Sequence, residues 1–123
     1  MKTIIVQDTD AAVLDVMTLA LQAEGFEVYP IQGYEIDFLS LINERRPHVV
    51  ILDYRLKGDT CKEICFQIKQ KYPHLPVIAT SCNYNIDRLY GVNGFDAYIR
   101  KPFDLDLLYG ILNQYVKLKK VLS

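Results

Sequence analysis

"VVILDYRLKG", residues 49–58, is the stretch on which the fold turns. Four apolar residues, three of them β-branched, run without interruption into Asp53, and the chain then becomes polar toward Gly58. A strand with one wet face alternates apolar and polar residues. A continuous apolar run of this length instead marks a strand covered on both faces, as in a parallel sheet packed between helices. The carboxylate at its end is either a solvated end-cap or the centre of a site.

Working outward from it, short β-branched runs alternate with longer segments of helical period. Strands are predicted over 3–6, 27–31, 48–53, 77–80 and 97–100, and helices over 10–24, 36–45, 60–71, 86–92 and 104–116. Gly25 follows the first helix, where a left-handed cap is wanted. Pro47 and Pro73 stop the second and third helices. Asp104 stands where the last helix needs an N-cap, and Lys117, Lys119 and Lys120 lie toward its negative end. Leu105, Leu108, Ile111, Leu112 and Tyr115 recur at three- and four-residue steps and give that helix one apolar face. Five β–α units in alternation imply an α/β fold: a doubly wound, five-stranded parallel sheet with five helices shared between both faces and right-handed crossovers. In such sheets a site lies beyond the carboxyl ends of the strands, where strand order reverses.

The 123 residues suit a single domain, with 50% apolar and 24% charged residues as in an ordinary globular protein. Fourteen Lys and Arg against 15 Asp and Glu give a net charge of −1, which supports no dedicated nucleic-acid surface. The apolar run in "MKTIIVQD" is too short for a signal peptide, and no stretch approaches a membrane span, so a cytoplasmic location is expected. Cys61, Cys65 and Cys82 are odd in number, which argues against a disulfide framework. Cys61 and Cys65 share a helix face, but no second pair completes a metal site, and they read as reduced, partly buried thiols.

The strand ends carry the chemistry. Gln7 and Asp8 end the first strand, Asp53 the third, Thr80 and Ser81 the fourth, and Lys101 with Pro102 the fifth. Singly, each has an ordinary reading: Asp10 as a helix cap, Asp8 as a turn residue, Lys101 as a surface charge. Together they place a carboxylate pair, a hydroxyl and an ammonium on one rim. That set suits phosphoryl transfer to a carboxylate. A divalent cation relieves the repulsion between the acids, and lysine and hydroxyl take up the charge on the phosphoryl oxygens. An ionised Asp is itself the nucleophile and needs no general base.

These residues resemble the receiver domain of two-component response regulators over essentially the whole chain, about residues 2–116. "VVILDYRL" is similar to the phosphoacceptor strand, "PVIATS" to the strand that delivers the hydroxyl, and "DAYIRKPF" to the fifth strand and its turn. The resemblance implies the flavodoxin-like strand order 2-1-3-4-5. It implies Asp53 as phosphoacceptor, Asp8 and the main-chain carbonyl of Arg55 as further ligands of Mg2+ or Mn2+, and Lys101 as a contact to the phosphoryl group. The hydroxyl falls on Ser81, five residues after Pro76. Tyr98 would be the aromatic whose rotamer follows the state of the switch, and the Lys101–Pro102 bond would be cis. Arg55 and Asn83, two residues beyond Asp53 and Ser81, would line the path of the hydrolysing water, with Arg55 shielding the phosphoryl group and lengthening its life.

The chain also departs from that pattern. Gln7 stands where the family usually has a further acid, so the site keeps two carboxylates and should bind Mg2+ more weakly. Gln7 can still hydrogen-bond a metal-bound water. Ser replaces the commoner Thr, and "CNYNIDRLYGVNG" is short for the fourth helix. The expected partners are a histidine kinase or phosphotransferase and a downstream protein target, with no direct nucleic-acid or membrane contact. A homodimer would use the face of the fourth helix, fifth strand and fifth helix, with Arg88, Asp96 and Arg100 as cross-interface charges and Tyr84, Tyr90 and Tyr109 nearby. The chain reads as one receiver domain over 1–123 with no output domain, a phosphoacceptor rather than an enzyme beyond its own phosphorylation and slow dephosphorylation. The alternatives are a non-phosphorylated pseudo-receiver that acts as an interaction module, and a flavodoxin-like enzyme, which the acidic, glycine-free "QDTDAAV" loop disfavours.

Overall fold

The computed structural model describes residues 2–55, 59–81, 94–101 and 104–122, of which 117–122 by backbone alone. Its elements are β1 (Thr3–Asp8), α1 (Ala11–Ala23), β2 (Glu27–Gln32), α2 (Phe38–Arg45), β3 (Val49–Asp53), α3 (Asp59–Lys71), β4 (Val77–Ser81), β5 (Ala97–Arg100) and α4 (Leu105–Leu122). The five strands are all parallel and lie in the order β2-β1-β3-β4-β5. Among the described residues there are four helices. The helix predicted over 86–92 falls outside them, as do Cys82, Tyr84, Arg88 and Tyr90.

Every residue of β1, β3 and β4 is buried, which is why these three strands read as unbroken apolar runs. On one face Ile5, Val50, Leu52, Val77 and Ala79 pack against Phe38 and Ile42 of α2 and Cys61, Cys65 and Ile68 of α3. On the other, Ile4, Val6, Val49, Ile51, Ile78 and Ile99 meet Leu14, Met17 and Leu21 of α1 and Leu108, Leu112 and Val116 of α4. Cys61 and Cys65 are free thiols wholly inside the first core rather than partly buried. Burial pushes both thiols up, Cys65 to about 11. No described helix is long and apolar enough to cross a membrane.

Local chemistry sets the element ends. The Asp10 carboxylate accepts from the N–H groups of Ala12 and Val13, and Gly25 after α1 takes φ 93°. α2 starts at Phe38, two residues later than the sequence suggests, because Asp37 caps it by accepting from the Ser40 N–H at 3.1 Å. Asp104 accepts from the Asp106 N–H at 2.7 Å at the start of α4. That helix continues to Leu122 rather than ending at Val116, since the residues beyond its apolar stripe include no helix breaker. β1 and β4 also run on, through Asp8 and Ser81. Parallel pairing continues to Asp8↔Gln32 and Ser81↔Arg100, so these polar residues belong to the strands themselves.

Two expected surface groups are used within the fold. Asp96 pairs with Lys69 at 2.8 Å and accepts from the Val77 N–H, fastening the approach to β5 onto α3 and β4. The Tyr109 hydroxyl donates to the Ala20 carbonyl at 3.3 Å, tying α4 to α1. Both were expected on an open dimer face. Both make these ties while keeping solvent-facing surface, Asp96 being exposed and Tyr109 half-buried.

Candidate functional site

Strand order reverses between β1 and β3, and the ends of these strands carry Asp8 and Asp53, which are 0% and 3% exposed. Alternation puts Asp8 on the face of Ile4 and Val6, Asp53 on that of Val49 and Ile51, and Lys101 on that of Ile99, all toward α1 and α4. Two carboxylates at that depth repel one another. Lys101 bridges them, its Nζ 2.6 Å from Asp8 Oδ2 and 3.0 Å from Asp53 Oδ1. Burial pulls the Lys101 pKa down, but the hydrogen bonds and charges of Asp8 and Asp53 outweigh it and the net direction is up. The Lys101 N–H donates to the Ser81 carbonyl at 2.7 Å, so β5 delivers the lysine along the edge of β4.

Every polar atom of Asp53 is held. Its N–H donates to Gln7 Oε1 at 2.9 Å, and its main-chain carbonyl accepts from the Tyr34 hydroxyl. Its Oδ1 takes Lys101. Its Oδ2 accepts from the Thr9 hydroxyl at 2.7 Å and the Thr9 N–H at 3.4 Å. Asp8 is clamped likewise, with the Asp10 N–H 2.8 Å from Oδ1. A carboxylate so restrained, beside a second carboxylate and a shared ammonium, is a preorganised oxyanion pair. Its oxygens are of the kind a hard divalent cation takes.

The comparisons decide the family. Residues 4–113 match the family model described as the response regulator receiver domain. The chain belongs to that family. Its fold is similar to a response regulator receiver domain protein from Clostridium thermocellum, with 26% identity over 100% of both chains and a TM-score of 0.85. It is similar in fold to the response regulator TrrA from Thermotoga maritima, determined in complex with Mg2+–BeF. That likeness is 23% identity over 94% of this chain and 99% of that one, with a TM-score of 0.81. NtrX from Brucella abortus is 29% identical over 98% of this chain but 28% of its own, with a TM-score of 0.81, so there the similar domain is part of a longer protein.

The receiver domain brings Asp8, Asp53 and Lys101 into direct contact. Ser81, 2% exposed, closes β4 beside them. Thr80 is the register partner of Asp53, and its hydroxyl is directed to the Leu52 carbonyl at 3.5 Å. Tyr98 is half-buried against the α2–α3 side of the sheet. Asn83 and Pro102, and with it the bond to Lys101, lie outside the described residues.

The Gln7 carbonyl is engaged by the Asp53 amide, and its buried Nε2 has no hydrogen-bond partner among the described residues. Among the described residues, no three His, Cys, Asp or Glu converge as a metal cluster. Asp10 is spent on the α1 cap and supplies no third acid. The side chain of Arg55 reaches Thr9, Nη1 to Oγ1 at 2.8 Å. Sequence reasoning missed two residues. Thr9 was open to detection as a hydroxyl next to Asp8. Tyr34 carries no such sign, because only the placement of the loop after β2 brings it to Asp53.

Proposed function

We propose that this receiver domain takes a phosphoryl group on Asp53 from a histidine kinase or phosphotransferase, in a reaction that requires Mg2+ or Mn2+, and passes the signal to a downstream protein. The observation that carries this reading is the Asp8–Lys101–Asp53 arrangement, in which two buried carboxylates share one ammonium at the point where strand order reverses. Asp8, Asp53 and the main-chain carbonyl of Arg55 are the residues that would hold the cation, which when bound supplies positive charge against the phosphoryl oxygens.

The chain's own residues do the rest. An oxygen of Asp53 forms the new bond to phosphorus as the bond to the donor's leaving atom breaks, and the leaving group carries away the electron pair. Lys101 turns its ammonium from the free carboxylate to the incoming phosphoryl oxygens, and Ser81 donates its hydroxyl to the same group. Asp8 keeps its charge and Gln7 keeps the Asp53 backbone in place. The acyl phosphate is lost slowly to water. Rearrangement of Ser81 and Tyr98 carries the change to the face of β5 and α4. The protein is thus a phosphoacceptor and not an enzyme acting on other substrates.

The test is incubation with acetyl phosphate in millimolar Mg2+, read by intact mass. Gain of one phosphoryl group, absent without the cation and absent in Asp53→Asn, is the expected result. The second reading is a pseudo-receiver, favoured by Gln7, whose carbonyl is already committed to the Asp53 amide. No mass gain in wild type, with the fold intact, would establish that reading instead.

A further inference from the structure

The geometry points to Thr9 as a positioning residue that restrains Asp53 before phosphorylation, with Arg55 acting through it rather than on the phosphoryl group directly. This inference rests on the phosphoacceptor reading above. A threonine hydroxyl has one proton. The Arg55 guanidinium donates to Thr9 Oγ1 at 2.8 Å, and Thr9 in turn gives its proton to Asp53 Oδ2 at 2.7 Å. The guanidinium can only donate. The direction of the relay is therefore fixed: Arg55 to Thr9 to Asp53. A hydroxyl that accepts from a cation is a stronger donor to the next group in line.

Thr9 is anchored apart from that relay. Its carbonyl accepts from Gln32 Nε2 at 3.3 Å, at the end of β2, and the adjacent Asp8 carbonyl accepts from the Gly33 N–H at 3.4 Å. The two carboxylate oxygens of Asp53 thus have separate duties. Oδ1 faces Lys101 and Asp8, where the cation-binding oxygens are, and Oδ2 is the oxygen left to attack phosphorus. As Oδ2 forms its bond to phosphorus, and the donor's leaving atom departs with the electron pair of its bond to phosphorus, negative charge drains from the carboxylate. A hydrogen bond to that charge is stronger before the reaction than in its transition state. An interaction stronger in the ground state slows the chemical step. The relay is a brake on phosphorylation, set by two side chains outside the metal and phosphoryl contacts.

The experiment uses full-length protein, acetyl phosphate and saturating Mg2+. Thr9→Val, which keeps the shape and removes the hydroxyl, should raise the phosphorylation rate roughly fivefold, about 1 kcal/mol at 1.36 kcal/mol per tenfold. Thr9→Ser should behave as wild type. Arg55→Ala should also raise the rate, yet add nothing in the Thr9→Val background. A Thr9→Val rate at or below wild type, or an Arg55→Ala effect of equal size in both backgrounds, overturns the relay. A second readout needs no phosphorylation: the carboxyl carbon resonance of Asp53 in the resting protein. It should move on Thr9→Val and on Arg55→Ala and no further when the two are combined. An unmoved resonance in Thr9→Val overturns the relay even if phosphorylation proceeds. Wild type that takes up no phosphoryl group, with the resonance shifts intact, overturns the phosphoacceptor reading while the relay stands.

Discussion

Lys101 settles the electrostatics of the site. Without it, two carboxylates that are 0% and 3% exposed would face each other uncompensated. Lys101→Met is expected to lower stability by roughly 3 kcal/mol at pH 7, the low end for breaking a buried pair because the lysine side chain keeps 13% exposure. Urea denaturation at pH 7 checks this. The sign for the lysine is equally definite. Its pKa is raised in the folded state, so its contribution is complete below the ordinary value of 10.5 and disappears only as pH climbs through the raised one. Asp8, Asp53 and Lys101 were all legible in the sequence, because a charged residue at the end of a buried strand has few ordinary explanations. The partners of Gln7 and Arg55 were not. Both side chains have several groups within reach at a strand end, and the choice among them depends on neighbours 46 residues away.

At the scale of elements, helix ends follow their caps. Asp10 satisfies two N–H groups at the start of α1, so Asp10→Ala should cost about 1 kcal/mol of stability in urea. The resting hydrogen bond from the Asp10 N–H to Asp8 is a backbone contact and should survive that change. The core of each helix was readable from its period. Its boundaries were less so: α2 yields two residues to the Asp37 cap, and α4 gains a further turn and a half beyond Val116. The strands lengthen for a related reason. Gln7, Asp8 and Ser81 are polar and look like loop, but the ladder with the neighbouring strand satisfies their backbone groups and holds them extended.

The whole molecule is two cores on one sheet, and the α2–α3 core buries two thiols. In the unfolded chain the Cys65 thiol ionises near 9.0, in the fold near 11. The unfolded state therefore holds fewer protons between these values, and stability falls with rising pH by up to about 1.4 kcal/mol per pH unit for one such thiol. Thermal unfolding from pH 8 to 11 should show this decline in wild type. Cys65→Ala should show a shallower one from a lower starting point, the residual slope belonging to Cys61, Tyr34 and Lys101, which are also pushed up. A decline of the same steepness in Cys65→Ala would refute the assignment.

The alternation of apolar runs, helical periods and their punctuation determined the α/β class, the doubly wound sheet and the rim on which the acids and lysine collect. These follow from local rules: which residues suit a doubly covered strand, and which stop a helix. The resemblance to receiver domains supplied the strand order that the structure bears out. Only the tertiary structure decided how the rim is wired. It committed Gln7 to the Asp53 amide, Thr9 to Asp53 Oδ2 and Arg55 to Thr9, and it gave Asp96 and Tyr109 partners within the chain. A hydrogen bond joins whichever donor and acceptor the folded loops bring within 3 Å or so, and sequence spacing does not encode that distance.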